Sequence, residues 1–250
     1  MKILVLMKEI IDTECRIRLD SNHNIDEEDI KYIFNPSDEH ALEEALRIKE
    51  TVGGEVIIYA IARQASTPSF KYLLAKGADR VFIIPSNESN PVLMSQMIGN
   101  AVYNESGDFD LILAGVMGID RNNGQIPGRL SIILDIPLVT MVEKIDLVKD
   151  RMICYREAET QLEMIEVRLP AVITVQRGIN KLRYPTANSL IKNNESKIIY
   201  LSNQLSITHE KANIKYAYPK TRPPVKLFDG QEPDNAVREL IKALIQDKIL

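Results

Sequence analysis

Between residues 2 and 134, short, largely apolar runs alternate with segments of helical periodicity. The runs are KILVLM (2–7), EVIIYAI (55–61), RVFII (80–84) and FDLILA (109–114). A strand with no polar face must be covered on both sides, which is the condition of a parallel sheet wrapped by helices. The intervening segments supply those helices. One runs from about Asp38 to Glu50, with Ala41, Leu42, Ala45, Leu46 and Ile48 on one face and Gly53-Gly54 as its stop. A second starts at Thr67-Pro68 and ends at Gly77; a third starts at Asn90-Pro91 and runs to about Glu105. A fourth spans Gln125 to Leu134. The predicted fold class is therefore α/β, a parallel Rossmann-like sheet flanked by helices. Ligands in such sheets sit beyond the carboxyl ends of the strands, where the chain switches direction. Here those ends are Met7, Ile61 and Ala114.

The last of these strands leads into a glycine-rich loop and a helix: FDLILAGVMGIDRNNGQIPGRLSIILDIP, residues 109–137. A buried strand, a glycine loop and a helix start make an anion site. The first helical N–H groups lack internal partners, the dipole favours negative charge, and glycine lets backbone approach a phosphate. The spacing of Gly115, Gly118 and Gly128 is neither G-x-G-x-x-G nor a Walker loop. Two readings stand: a nucleotide phosphate loop, or an ordinary strand-to-helix connection. Asp120 lies inside this loop, where a carboxylate either caps loop N–H groups, the favoured role, or accepts from a ribose hydroxyl. Lys8 closes the first strand and is either a charge for a phosphate or a solvent lysine.

After Pro137 the pattern changes. PLVTMVEKIDL, RMICYREAE, QLEMIEVRL and AVITVQ are four β-like runs without helices between them, so they predict an antiparallel extension. From Gly178 regularity fades. Residues 197–207 read as extended, 216–234 are proline-rich, and a last amphipathic helix spans Asn235 to Asp247. An apolar helix face on such an arm needs a surface to lie on. The organisation expected is a domain over 1–183, a loop over 184–196 and an arm over 197–250.

Charge and cysteine use exclude several classes. The net charge of −4, without a basic block, does not indicate a nucleic-acid surface. Cys15 and Cys154 are far apart, giving neither a disulfide framework nor a zinc site. No apolar run approaches ~20 residues, so no membrane span is expected. MKILVLMKEI reads as a strand and not as a signal peptide, which places the chain in the cytoplasm. His23, His40 and His209 read as surface or capping residues, and Glu27-Glu28 and Glu43-Glu44 as solvated faces. No nucleophile or general base stands out, so the chain reads as a nucleotide- or cofactor-binding protein.

Several motifs in order resemble the beta subunit of electron-transfer flavoproteins. They are the KILVLMKEIIDTECRIRLD start, NPSDEHALEEALRIKE, LLAKGADRVFII, the 109–137 stretch with its following LVT, and LPAVITVQRGINKLRYPT. The resemblance implies an adenine-nucleotide-binding domain paired with an alpha subunit that carries the redox FAD. It implies AMP in the groove of housekeeping members and a second FAD in electron-bifurcating ones, with NADH as electron donor. By position the groove takes in Leu6, Asn35, Ile61, Gly115, Gly118, Ile119, Asp120, Gly124, Gln125, Ile126 and Gly128. The arm would wrap the alpha subunit, and residues 184–194 would dock an acyl-CoA dehydrogenase or another flavin oxidoreductase. Ser37, Gly118, Arg121-Asn122-Asn123 and Ala187-Asn188 depart from the family pattern. The tail FDGQEPDNAVRELIKALIQDKIL resembles the bifurcating and nitrogen-fixation-linked branch, which tilts the groove toward FAD. A regulatory module of the stress-protein type is the competing class. The four β-runs and the arm argue against it, because that type ends after its nucleotide domain.

Overall fold

The computed structural model describes residues 1–62, 67–86, 88–191, 195–202, 214–222 and 224–250. Two compact units form: Met1–Ile17 with Asp26–Ala212, and Arg18–Ile25 with Asn213–Leu250. The expectations for His209 and for residues 203–207 lie outside the described residues.

The first unit holds the sheet. Strand β1 (Lys2–Ile11) is followed by the short β2 (Tyr32–Phe34) and helix α1 (Pro36–Val52). Then come β3 (Glu55–Ala62), α2 (Thr67–Lys76), β4 (Arg80–Pro85), α3 (Pro91–Glu105), β5 (Leu111–Gly115) and α4 (Gln125–Ile133). Strands β6 (Leu138–Val142), β7 (Lys144–Val148), β8 (Arg151–Glu157), β9 (Leu162–Arg168) and β10 (Ala171–Val175) follow, then α5 (Ala187–Ile191) and β11 (Ile198–Tyr200). The main sheet runs β11-β4-β3-β1-β5-β10-β6, with every pairing along it parallel. Chain order runs outward from β1 on one side and jumps to β5 on the other, so the switch point lies between β1 and β5.

Alternate residues of each strand enter two cores. Ile3, Val5 and Met7 pack with Ala41, Leu42, Phe70 and Leu73 beneath α1 and α2. Leu4 and Leu6 pack with Met94, Met97, Ile98 and Leu130 beneath α3 and α4. Burial on both faces explains why these strands carry no polar alternation.

Two expectations after Pro137 are corrected. AVITVQ is not antiparallel: β10 lies between β5 and β6 in the main sheet, and all five of its residues are buried. The run from Leu138 is two strands. Its first half, β6, is a parallel edge strand, and the chain leaves it through Met141, whose φ is +61°. The Met141 N–H donates to Thr174 Oγ1 at 3.0 Å, giving the bulge a fixed partner. Only β7, β8 and β9 form the antiparallel sheet. It fills the connection from β6 to its neighbour β10, and it buries Met152, Cys154 and Val167 in the same core as α1.

Strand β1 also continues past Met7. Glu9–Ile11 pair antiparallel with Phe34–Tyr32, which returns the chain to Lys8 and starts α1 there. The second unit contains α6 (Pro233–Gln246), none of whose residues is buried.

Candidate functional site

A cleft of about 570 Å³, including its open mouth, lies beyond the ends of β1, β3 and β5. Its floor is apolar: Leu6, Tyr59, Ile61, Met94, Ile98 and Ala114. Its rim is polar and is built by the 115–125 loop, the start of α4, Lys8 and Asn35.

Asp38 ties the rim together. It occupies the first turn of α1 and is 7% exposed. Its Oδ2 accepts from the Lys8 N–H at 2.9 Å, and its Oδ1 accepts from the Gly115 N–H at 3.1 Å. Where β1 and β5 cease to pair, this carboxyl takes over as acceptor for both strands. Burial pushes its pKa up to about 7, against the N–H groups that favour the ionised form. Gly115 is required by this arrangement, because a Cβ there would strike Asp38 Oδ1 and Ser37.

Asn35 holds the glycine loop. Its Nδ2 donates to the Met117 carbonyl at 3.0 Å and its Oδ1 accepts from the Ile119 N–H at 3.3 Å. The side chain is spent on the loop, so α1 has no side-chain cap despite an Asn at its N-cap. Asp120 is a correction. Its Oδ2 accepts from Lys8 Nζ at 2.6 Å, and among the described residues it caps no loop N–H. Lys8, which the sequence left as either a phosphate charge or a solvent lysine, is thus held at the rim by an ion pair within the chain.

Helix α4 opens on the cleft. Gly124 is its N-cap, in the left-handed region at φ +54°, and no side chain caps the helix. A Cβ on Gly124 would lie 3.1 Å from the Val116 carbonyl oxygen. Pro127, the third helical residue, has no N–H. The amides of Gln125 and Ile126 are therefore the donors at the helix start, and both residues line the cleft.

Of the eleven residues expected in the groove, Leu6, Asn35, Ile61, Gly115, Gly118, Gly124, Gln125 and Ile126 line the cleft together. Ile119, Asp120 and Gly128 do not line it. Gly128 sits within α4 beside Leu138. Sequence reading missed Asp38, Tyr59, Met94 and Ile98. Asp38 carried a signal, an acidic residue two positions after Asn35-Pro36, but it read as a helix start. The others read as core, and they are core on one side and cleft floor on the other.

The pair Glu43-Glu44 is also corrected from a solvated face. Both are buried, at 4% and 7% exposure. Glu43 takes a forked bond from Arg183, with Nε and Nη2 at 2.9–3.1 Å, and Arg183 also bonds Glu50. Glu44 accepts from Asn180 Nδ2 at 2.9 Å, and Asn180 Oδ1 meets His40 Nδ1 at 2.8 Å. Helix α1 thus fixes the segment leading into residues 184–191, while its other end builds the cleft.

The fold and cleft define a class: a doubly wound α/β protein with an uncapped helix start over an apolar floor at the switch point. The family model described as electron transfer flavoprotein domain matches residues 23–198, and the chain belongs to that family. It is 31% identical to the electron transfer flavoprotein subunit beta of Bacillus subtilis, over 98% of this chain and 97% of that one. It is 28% identical to the subunit beta of Thermoanaerobacterium thermosaccharolyticum, over 98% of each chain. It is 30% identical to the caffeyl-CoA reductase-Etf complex subunit CarD of Acetobacterium woodii, over 79% of this chain and 77% of that one. No described helix is long and apolar enough to cross a membrane.

Proposed function

We propose that this chain is the nucleotide-holding beta subunit of a two-subunit electron carrier, paired with an alpha subunit that bears the redox FAD. The observation that carries this is the Gly124-capped start of α4, whose Gln125 and Ile126 amides open into an apolar cleft across from Lys8. An adenosine fits the floor of Leu6, Ile61, Tyr59 and Met94, and a phosphate fits the amides. Lys8 would exchange Asp120 for the phosphate. The remaining rim residues orient the group: Asn35 fixes the loop and Asp38 fixes the strand ends. If the group is FAD, its isoalloxazine supplies hydride and single-electron chemistry, and this chain supplies binding and position.

The second unit supports the pairing. Helix α6 exposes Val237, Leu240, Ile241 and Ile245 on one face, a stripe that an alpha subunit would cover. The exposed Tyr184, Leu190 and Ile191 offer a contact for an acyl-CoA dehydrogenase or another flavin oxidoreductase. Electrons would pass between NADH or such a dehydrogenase and an acceptor oxidoreductase. The tail and the similarity to CarD favour FAD over AMP in the cleft, and with it flavin-based bifurcation.

Co-expression with an alpha subunit, followed by release and counting of flavin and AMP, tests this. Two flavins per heterodimer supports FAD in the cleft. One flavin and one AMP rejects bifurcation while keeping the nucleotide site. A colourless homodimer that binds ATP refutes the carrier reading and favours a stress-protein-like module.

A further inference from the structure

The cleft contains the sole Asn-Gly pair of the chain, Asn123-Gly124. Asn-Gly is the sequence in which an asparagine side chain is most open to attack by the next backbone nitrogen, because glycine places no Cβ in the way. The structure adds three conditions. Asn123 and Gly124 are both exposed, and both line the cleft. Among the described residues neither the Asn123 carboxamide nor the Gly124 amide has a hydrogen-bond partner. Gly124 also precedes the helix, so α4's hydrogen-bond ladder does not hold its nitrogen.

Two other asparagines near the rim are protected by construction. Asn35 and Asn90 each precede a proline, whose ring nitrogen has no N–H to give up. Asn35 is buried and held at both ends of its carboxamide.

We propose that Asn123 is a deamidation site that acts as an age-dependent switch on the cleft, protected by the bound nucleotide. The inference rests on the cleft being an adenine-nucleotide site. The Gly124 nitrogen attacks Asn123 Cγ. The new C–N bond forms, the Cγ–Nδ2 bond breaks, and the amide proton, relayed through solvent, completes the departing ammonia. Water then opens the cyclic imide at either carbonyl, leaving aspartate or isoaspartate at position 123. Nothing is oxidised or reduced.

Either product sets a carboxylate just ahead of the α4 N-cap. There it competes with a phosphate for the Gln125 and Ile126 amides and repels it directly. Isoaspartate also lengthens the backbone by one methylene beside the left-handed Gly124, which displaces the cap. A nucleotide in the cleft covers the pair and holds the start of α4, so the occupied protein ages slowly and the empty one loses its capacity to reload.

The test uses the purified heterodimer, stripped of nucleotide and held at mildly alkaline pH with or without added AMP or FAD. Peptide mass analysis reads the mass gain at position 123, and titration reads affinity before and after. The expected result is modification at 123 ahead of every other asparagine, slowed several-fold by AMP or FAD. Affinity in the aged wild type should fall about tenfold, the size of a near-surface like-charge contact. Fresh N123D should bind more weakly than fresh wild type, as the aspartate product does, and aged N123Q should keep the affinity it had when fresh. Position 123 ageing no faster than the other asparagines, or aged and fresh wild type binding alike, overturns the proposal. Fresh wild type binding neither AMP nor FAD refutes instead the reading of the cleft, and the protective role with it; the mass gain at 123 still decides the chemistry.

Discussion

Replacing Asp38 with asparagine separates two forces acting on one carboxyl. Asp38→Asn keeps the shape but turns one oxygen into an NH₂. The Lys8 and Gly115 N–H groups each donate to a different oxygen of Asp38. One of them must then face a donor, a loss of about 1–3 kcal/mol for a buried unsatisfied group. A second contribution depends on pH. Burial raises the carboxyl from 3.8 to about 7, so the unfolded chain ionises first as pH rises. The stability this group provides is complete below about pH 4 and is lost as pH climbs through about 7. From about pH 5 to about pH 8 the wild type should lose about 2–3 kcal/mol from Asp38 alone. The variant has no such loss. Glu9, raised to about 7 by burial, titrates in both proteins and cancels in the difference. Urea unfolding of both proteins at the two pH values measures it. The stability gap between wild type and D38N should narrow by about 2–3 kcal/mol toward high pH. A gap that widens instead would mean that the two N–H bonds outweigh burial and hold the carboxyl ionised, which would refute the reasoning.

Gly124→Val should keep the fold but lose nucleotide, since the left-handed φ costs a β-branched residue at least about 1–2 kcal/mol and its Cβ presses on Val116; chromatography of the nucleotide released after purification reads it, and undiminished content would show that the loop is not the phosphate site. Lys8→Met should change the stability of the empty protein by less than about 1 kcal/mol, because the ion pair with Asp120 is partly exposed. The same variant should weaken AMP binding and flatten its salt dependence, both measurable by titration at two ionic strengths. Truncation after Tyr200 removes α6 and should abolish or weaken association with the alpha subunit, as read by size-exclusion chromatography.

The alternating half of the fold was legible because its strands are buried on both faces. EVIIYAI and FDLILA could only be interior strands, and the helices between them forced a parallel arrangement. AVITVQ carries the same signature, with five consecutive buried residues, but its position among antiparallel runs masked it. Periodicity reveals burial and is silent on which strand lies alongside. The glycine loop was legible for a local reason: Gly124 must be left-handed, and its neighbours supply helix-start amides. Asp38, Glu43 and Glu44 were not legible in the same way. Their partners are 30 to 140 residues away, and a carboxylate on a helix reads as solvated until those partners are known.

The sheet of β7–β9 fills the position that a crossover helix would take in a regular doubly wound fold. It enters from β6 and returns to the adjacent parallel strand β10, and it covers the core with Met152, Cys154 and Val167. For a protein engineer this makes residues 143–170 an exchangeable cassette. A helix presenting apolar residues in place of these three and of Ile145, Leu147 and Ile165 would close the same face while leaving the hydrogen bonding of β10 to β5, and the cleft floor of Leu6, Ile61 and Ala114 on the other face, in place.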